Sequence, residues 1–321
     1  MFHTVPRALA WLGRAGPRLA RKNCRVASDN EPGAVVARLA EQLAGAEVPE
    51  PRLSAQYLVG CCLQPRDPSR PVMPDSWEQQ QLHLSPEQLT RLDSLTQCRL
   101  AHMPLQYIVG NWDFCGLTLL CRPPVFIPRP ETEQLVELVL SHHPDPTASV
   151  LEVGPGTGAV SLALLSARPD WRATAVDRST AALQLARENA TRLGLQDRLE
   201  LLPGRVGGEQ ELTGLEAQYD LVVSNPPYIL TKDLLALPQQ VALFEDLRAL
   251  DGGKHGLDVV LAVVDVAGSV LGPGGLLLLE CDPCHPVLLP PRLPKLSHPF
   301  SLESVEKDFA GKERFLVLRK L

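Results

Sequence analysis

Strands and helices alternate through the second half of the chain, and this alternation restricts the fold more than any other feature of the sequence. Short apolar strands are predicted at 148–153, 172–176, 199–202, 219–224 and 276–281. Helices are predicted beside them at 131–142, 159–168, 179–193 and 256–271, with a closing pair of strands at 301–308 and 313–320. Strands that alternate with helices form a parallel, doubly wound sheet that binds ligands at the carboxyl ends of its strands. The predicted fold class is therefore α/β, with a Rossmann-like sheet.

The sequence before this region has a different pattern. From residue 33 to about residue 102, apolar residues recur at three- and four-residue spacings, which predicts helices around a proline-rich loop at 65–74. Ser85 can cap a helix whose first turn contains Pro86. The predicted organisation is a small helical domain for substrate recognition at 29–103, a linker with a hairpin at 104–130, and the α/β domain at 131–321.

The charge is unevenly distributed along the chain. Residues 1–28 contain basic side chains and no Asp or Glu, which predicts a mitochondrial import leader, with a disordered basic tail as the alternative. Without this segment the formal charge falls from −6 to about −12, which disfavours nonspecific binding to nucleic acid. No window offers the ~18 uninterrupted apolar residues of a membrane-spanning helix. We expect a protein of the mitochondrial matrix with no direct nucleic-acid partner and no membrane partner.

A glycine-rich turn, Gly154-Pro155-Gly156-Thr157-Gly158, lies between a predicted strand and a predicted helix. Glycines allow a tight turn, a close approach to a ligand and backbone amides at a helix N-terminus. The lysine of a P-loop is absent, which disfavours nucleoside triphosphates. Asp177 ends the next strand, where its carboxylate can accept hydrogen bonds from both ribose hydroxyls. The turn alone leaves NAD, FAD and S-adenosylmethionine as candidate ligands.

The turn Asn225-Pro226-Pro227-Tyr228 follows the fourth predicted strand and is the most informative motif. Prolines fix φ and remove amide donors, so the turn is stiff and its carbonyl groups are left unpaired. The side-chain oxygen of Asn225 and the carbonyl of Pro226 can accept the two protons of a planar NH2 group while Tyr228 stacks on its plane. Such positioning directs the nitrogen lone pair at a methyl donor and supplies much of the rate, because an amide nitrogen is a poor nucleophile.

Together, Gly154–Gly158, Asp177 and Asn225–Tyr228 resemble the adenosylmethionine-dependent methyltransferases that modify a planar amino nitrogen. Two further strings, Pro104–Gly110 and Phe126–Glu133, narrow this resemblance to the HemK/PrmC family. Members of that family methylate the side-chain amide of glutamine in the Gly-Gly-Gln motif of peptide-chain release factors. The resemblance runs from about residue 33 to the end of the chain, and its shorter matches are Phe244–Asp246, Ala249–Gly253 and Gly256–Asp258.

The resemblance implies an S-adenosyl-L-methionine cofactor, no metal, and mitochondrial release factors as substrates, given the basic leader. It implies that a loop backbone holds the methionine part of the cofactor, the loop being Gly154, Pro155, Gly156, Thr157 and Gly158. Asp177 would hold the ribose. The implied substrate-binding residues are Asn225, Pro226, Pro227 and Tyr228. Of these, Asn225, Pro226 and Tyr228 would be catalytic, and Asn225 would also lie close to the cofactor.

Two stretches depart from the family pattern. The region after the third strand reads Leu202–Val206, where many members carry an acid near the adenine; here Arg205 could stack on that ring instead. Prolines interrupt 283–294, so no continuous helix is expected there. The segment Cys281–His285 matches the C-x-x-C-H haem pattern, which we interpret as a chance match because it directly follows a buried strand and no further metal ligands cluster nearby.

Two other functions compete with this interpretation. The Asn-Pro-Pro-Tyr turn suits any planar NH2 group, so an adenine or guanine amino group in nucleic acid is a possible target, although the acidic charge disfavours it. Alternatively, the chain could be a non-catalytic assembly factor that keeps the fold.

Overall fold

A computed structural model describes residues 30–63, 83–207, 212, 214, 215 and 218–321. The predicted leader at 1–28 and the predicted loop at 65–74 lie outside the described residues, so both stay predictions. The predicted domain boundaries also stay predictions.

The first part of the described chain is helical. Its helices are α1 (Pro32–Gly45), α2 (Pro51–Leu63), α3 (Pro86–Leu100) and the short α4 (Leu105–Val109). They enclose an apolar core that includes the fully buried Leu43, Leu58 and Val59. Ser85 caps α3 as expected, because its hydroxyl accepts a hydrogen bond from the Gln88 amide while the Gln88 side chain accepts one from the Ser85 amide.

A hairpin and one helix connect this helical part to the sheet. The hairpin consists of β1 (Asn111–Phe114) and β2 (Leu117–Leu120), and the helix is α5 (Pro130–His142). The buried Asn189, on the helix Thr180–Leu193, accepts a hydrogen bond from the Leu120 amide at 2.7 Å and donates to the Leu120 carbonyl at 3.3 Å and the Thr157 carbonyl at 2.9 Å. One amide side chain therefore joins the hairpin to the glycine-rich loop.

A seven-stranded sheet forms the centre of the larger part. Its strands are β3 (Ser149–Val153), β4 (Arg172–Asp177), β5 (Leu199–Pro203), β6 (Tyr219–Ser224), β7 (Leu271–Glu280), β8 (Phe300–Lys307) and β9 (Glu313–Lys320). Their order is β5-β4-β3-β6-β7-β9-β8. The first five strands are parallel, whereas β9 pairs antiparallel with both β7 and β8. The predicted doubly wound sheet with a closing antiparallel pair is confirmed.

Helices pack on both faces of the sheet and enclose two apolar cores. These helices include α6 (Ala159–Ala167), α7 (Thr180–Leu193), α9 (Asp258–Val270) and α10 (His285–Leu288), whereas the one-turn α8 (Gln239–Ala242) has no buried residue and lies in the connection between β6 and α9. One core contains Val139 of α5 and Leu162 of α6, and the other contains Val263 of α9. Among the described helices, none has both the length and the apolar character that a membrane crossing requires.

The predicted starting residues of one helix and one strand were wrong. The helix predicted at 256–271 begins at Asp258, because Gly256 adopts φ +70°, which a right-handed helix does not accommodate. The strand predicted at 276–281 begins at Leu271, which pairs with Tyr219 before an irregularity lets Leu276 pair with Leu221. The proline-rich stretch after β7 contains only the one-turn α10 and a 3-10 turn at Leu293–Lys295, as expected.

Removing the Asn189 side chain is expected to weaken the link between the hairpin and the sheet. In Asn189→Ala, the Leu120 amide and two carbonyl groups lose their partner, so the free energy of unfolding should fall by about 2–4 kcal/mol. Denaturant unfolding measures this loss, and the exposed Thr191→Ala on the same helix is the control. Equal stability of the two variants would contradict the assigned role.

Candidate active site

A cleft opens where β3 and β6 end side by side. Val153 and Ser224 are register partners at these ends, and the Ser224 hydroxyl donates to the Val153 carbonyl at 2.7 Å. The chain leaves β3 toward β4 on one side, whereas β6 lies on the other, so the crevice forms at the switch point of the sheet. The cleft has a volume of 280 Å³.

The glycine-rich loop forms one wall of this cleft. Its glycines Gly154, Gly156 and Gly158 have φ values of +77°, +55° and +84°, which side-chain-bearing residues rarely adopt. The cleft is lined by Gly154, Pro155, Gly156 and Thr157. Gly158 is not a lining residue; a Cβ there would lie 3.1 Å from the Leu162 side chain and 3.2 Å from that of Ala186. Gly158 therefore allows α6 and α7 to pack closely.

Asp177 lies at the end of β4 and lines the cleft. Its carboxylate accepts hydrogen bonds from the Gly156 amide at 3.3 Å and the Ser179 amide at 2.8 Å. Burial raises the pKa of Asp177, and these two amide donors counteract that effect. The carboxylate keeps lone pairs for further donors in the cleft, as binding of ribose hydroxyls requires.

Glu152 is a buried acid of the cleft whose role the sequence reasoning did not assign. It is 2% exposed and accepts hydrogen bonds from the amide and hydroxyl of Ser161, the amide at 2.9 Å. Burial raises the pKa of Glu152 to about 7, against the effect of these hydrogen bonds. Its position two residues before the glycine-rich loop was the available signal.

The Asn-Pro-Pro-Tyr turn faces the glycine-rich loop. Asn225, Pro226 and Pro227 line the cleft, and the Asn225 Nδ2 donates to the hydroxyl of Thr132 at 3.0 Å. Tyr228 does not line the cleft; its hydroxyl donates to Glu280 at 3.1 Å. Burial and the nearby Glu280 carboxylate raise the pKa of Tyr228. The structure thus brings three of the four predicted turn residues to the cleft and anchors the fourth beside it.

The backbone that follows the Asn-Pro-Pro-Tyr turn is hydrogen-bonded to a glycine turn, which comes after the 3-10 segment Leu247–Ala249. The Ile229 amide donates to the Leu250 carbonyl at 2.9 Å, and the Gly252 amide donates to the Ile229 carbonyl at 2.8 Å. A Cβ on Gly252 would lie 2.6 Å from the Tyr228 Cα. The two backbones therefore approach more closely than any residue larger than glycine allows.

The linker covers the cleft from the opposite side. Glu245 is buried and forms an ion pair with Arg129 at 2.5 Å, while it also accepts from the Ile127 amide at 3.2 Å. The Arg129 guanidinium lies 4.6 Å from the ring centre of Phe126, which lines the cleft. The Asp246 amide donates to the Pro124 carbonyl at 2.8 Å. The end of the linker and the Phe244–Asp246 segment are far apart in sequence, and these contacts join them beside the cleft.

Comparison with known proteins agrees with this geometry. A family model described as the PrmC N-terminal domain matches residues 34–110, and one described as the methyltransferase small domain matches 117–241. A Homo sapiens protein named MTRF1L release factor glutamine methyltransferase is 42% identical over 283 residues, which cover 85% of this chain and 82% of that protein. The chain belongs to the release factor glutamine methyltransferase family.

Bacterial members of the family show similar identity. The Geobacter sulfurreducens release factor glutamine methyltransferase is 42% identical over 61% of this chain and 67% of its own length. The Moorella thermoacetica protein of the same name is 38% identical over 87% of this chain and 95% of its own length. The predicted family, the α/β methyltransferase fold with a helical N-terminal part, and the prediction of an enzyme are confirmed.

Arg205 and the Cys281–His285 segment, which the sequence also singled out, lie at different positions. Arg205 lines the cleft together with Val206 and Gly207. Cys281 is buried and Cys284 is exposed, and the adjacent His285 is buried. Within the described residues, no group of three or more His, Cys, Asp or Glu side chains is arranged to hold a metal ion.

The buried Glu152 is expected to make stability depend on pH. The pKa of Glu152 is about 7 in the folded chain, whereas a glutamate in the unfolded chain has a pKa of about 4.3. The folded chain therefore binds the proton more tightly, and stability that is fully present at low pH is lost as the pH rises through about 7. Between pH 5 and pH 8, the wild-type chain should lose on the order of 1–3 kcal/mol relative to Glu152→Gln. Denaturant unfolding at both pH values measures this, and parallel pH dependences would contradict it.

Adding a methyl group at Gly252 is expected to displace the Asn-Pro-Pro-Tyr turn. Gly252→Ala should cost about 1–3 kcal/mol of unfolding free energy and lower the methylation rate, because the new Cβ overlaps the Tyr228 backbone. At Gly272 no heavy atom lies within 4 Å of an added Cβ, so Gly272→Ala is the matched control. Thermal unfolding and a methylation assay compare the two, and indistinguishable variants would contradict the prediction.

Proposed function

We propose that this chain transfers a methyl group from S-adenosyl-L-methionine to the side-chain amide nitrogen of glutamine in the Gly-Gly-Gln motif of mitochondrial peptide-chain release factors. The observation that carries the proposal is the position of Asn225, whose side-chain oxygen receives no hydrogen bond from any described residue and which lines the same cleft as the glycine-rich loop. Family membership supports glutamine as the target.

The residues of the cleft fit the proposed methyl donor. The glycine-rich loop allows close approach of a ligand backbone, and Asp177 keeps acceptor capacity for ribose hydroxyls. Carboxylates of Glu152, Asp177, Asp246 and Asp258 line the cleft, which suits a donor that carries a cationic sulfonium and a cationic amino group. Arg205 has a flat guanidinium that can stack on an adenine ring.

Asn225 and Pro226 would hold the glutamine amide. In the described part of the chain, no group donates to the Pro226 carbonyl or to the Asn225 side-chain oxygen, so both are free to accept the two N–H groups of the target. The turn is stiff because two prolines fix its backbone. Tyr228 would pack its ring on the amide plane from the side outside the donor cleft, since its hydroxyl is fixed to Glu280.

The chemistry depends on positioning. When bound, S-adenosylmethionine supplies an electrophilic methyl group on a positively charged sulfur. Two acceptors on the amide hydrogens orient the nitrogen toward that methyl group, and such orientation compensates for the weak nucleophilicity of an amide. The N-methylated amide is so weakly basic that its extra proton leaves to solvent, and we propose no dedicated general base.

Parts of the chain outside the cleft support the proposed partner and its location. The helical part contacts the region after the Asn-Pro-Pro-Tyr turn, because the buried Arg99 donates to Gln240 of α8 at 3.2 Å. A release factor that binds both regions would gain specificity beyond the target loop. The basic segment 1–28 would direct the enzyme to mitochondria.

Methylation of a mitochondrial release factor tests the proposal. Incubation with S-adenosylmethionine should raise the intact mass of the factor by one methyl group, and the modified peptide should contain the Gly-Gly-Gln glutamine. Asn225→Ala should slow this reaction by about 100-fold, because the target amide loses an oriented acceptor.

Gln196→Ala is the matched control, since this exposed amide side chain lies at the amino end of β5, away from the cleft. RNA, DNA and a release factor with Gln replaced by Ala in its motif serve as substrate controls. Methylation of nucleic acid in place of the protein, or full activity of Asn225→Ala, would refute the proposal.

A further inference from the structure

One buried carboxylate joins the two ends of the Asn-Pro-Pro-Tyr turn. Glu280 ends β7 and is 2% exposed. Its Oε2 accepts a hydrogen bond from the Thr132 hydroxyl at 2.7 Å, and its Oε1 accepts one from the Tyr228 hydroxyl at 3.1 Å. Thr132 in turn contacts Asn225, so Glu280 reaches the first residue of the turn through Thr132 and the last one directly.

The hydrogen bonds that link Asn225, Thr132 and Glu280 have a fixed direction. In its ionised form Glu280 only accepts hydrogen bonds, so the single proton of the Thr132 hydroxyl is donated to it. The Thr132 oxygen can then act toward Asn225 only as an acceptor. The group that Asn225 presents to Thr132 must therefore be the NH2 group, which is the observed contact at 3.0 Å.

This direction determines which end of the Asn225 amide faces the substrate. With Nδ2 held by Thr132, the carbonyl end Oδ1 is left for the cleft, where an acceptor is needed. If the Thr132 proton were free to rotate toward Asn225, the amide could turn over and present NH2 to the substrate. Two N–H groups would then face each other, and binding would be lost.

Neighbouring contacts hold the carboxylate in place. Arg314 donates to the Tyr228 hydroxyl at 3.5 Å and to the Cys281 carbonyl at 3.3 Å, and its Nε pairs with Asp308 at 3.1 Å. Both oxygens of Glu280 accept hydrogen bonds from other elements, one from Thr132 and one from Tyr228, as a buried carboxylate requires. α5 supplies Thr132, β7 supplies Glu280 and the loop after β6 supplies Asn225.

We infer that Thr132 and Glu280 are positioning residues that fix the orientation of the Asn225 amide, so that its oxygen accepts the hydrogen bond of the substrate. This inference rests on the proposed function of Asn225. It assigns a role to Thr132, which lies in the Phe126–Glu133 string, and to Glu280, which none of the matching strings contains.

A double-mutant cycle tests the inference. Thr132→Val keeps the shape of the side chain and removes the hydroxyl, so kcat/KM for the release factor should fall by about 10- to 50-fold. Thr132→Ser restores the hydroxyl and should recover most of that loss. Because Thr132 acts through Asn225, adding Thr132→Val to Asn225→Ala should lower the rate by no more than about twofold.

Glu280→Met is the second variant, since an unbranched apolar side chain of similar length removes the acceptor for Thr132. It should lower kcat/KM in the wild-type background, and its further effect in the Asn225→Ala background should be smaller, because only its contact with Tyr228 is then left to lose. Donor affinity measured by calorimetry should change by less than about threefold in Thr132→Val.

The outcomes separate this inference from the proposed function. If the wild-type chain is active and Asn225→Ala is not, but Thr132→Val stays near wild type, the inference is overturned and the proposed function stands. An equal loss from Thr132→Val in both backgrounds also overturns it, because the residue would then act structurally. If the wild type is inactive or Asn225→Ala keeps full activity, the proposed function itself fails.

Discussion

The parallel pairing of β3 with β6 is the constraint on which the site depends. Val153 and Ser224 end these strands as register partners, and a hydrogen bond from Ser224 closes the pair. The residues that follow each strand are therefore placed opposite one another: the glycine-rich loop on one side and Asn225 on the other. A shift of this register would separate the loop from the turn, and a slip of one strand by one residue would also turn the side chains of that strand to the opposite face of the sheet.

Buried carboxylates connect the elements around the cleft. Glu152, Glu245 and Glu280 are each less than a tenth exposed, and each accepts hydrogen bonds from another element. Glu152 binds α6, Glu245 binds the linker, and Glu280 binds both α5 and the Asn-Pro-Pro-Tyr turn. An unpaired buried charge is very unfavourable, so these contacts restrict how far the elements can move apart. The polar network thus defines the shape of the cleft, while the apolar cores supply most of the burial.

Much of the fold follows from local sequence signals. The strand at 219–224 was predicted with its observed bounds, and Ser85 caps the helix for which a capping hydroxyl was expected. These signals are local because a cap or an apolar run acts on its immediate neighbours. The start of β7 was missed because the glycine-rich stretch after Leu271 indicates a turn. Pairing of Leu271 with Tyr219, which is remote in sequence, extends the strand instead.

The sequence by itself determined the alternation of strands and helices, the glycine-rich loop, and the Asn-Pro-Pro-Tyr turn with its family resemblance. All of these are properties of contiguous residues. Only the tertiary structure decided that Tyr228 is anchored beside the cleft and that Thr132 and Glu280 stand behind Asn225. Thr132 and Glu280 are 148 positions apart, and their hydrogen bond forms only once α5 packs against the end of β7. The direction of a side-chain amide depends on such a contact, and no local pattern of residues specifies it.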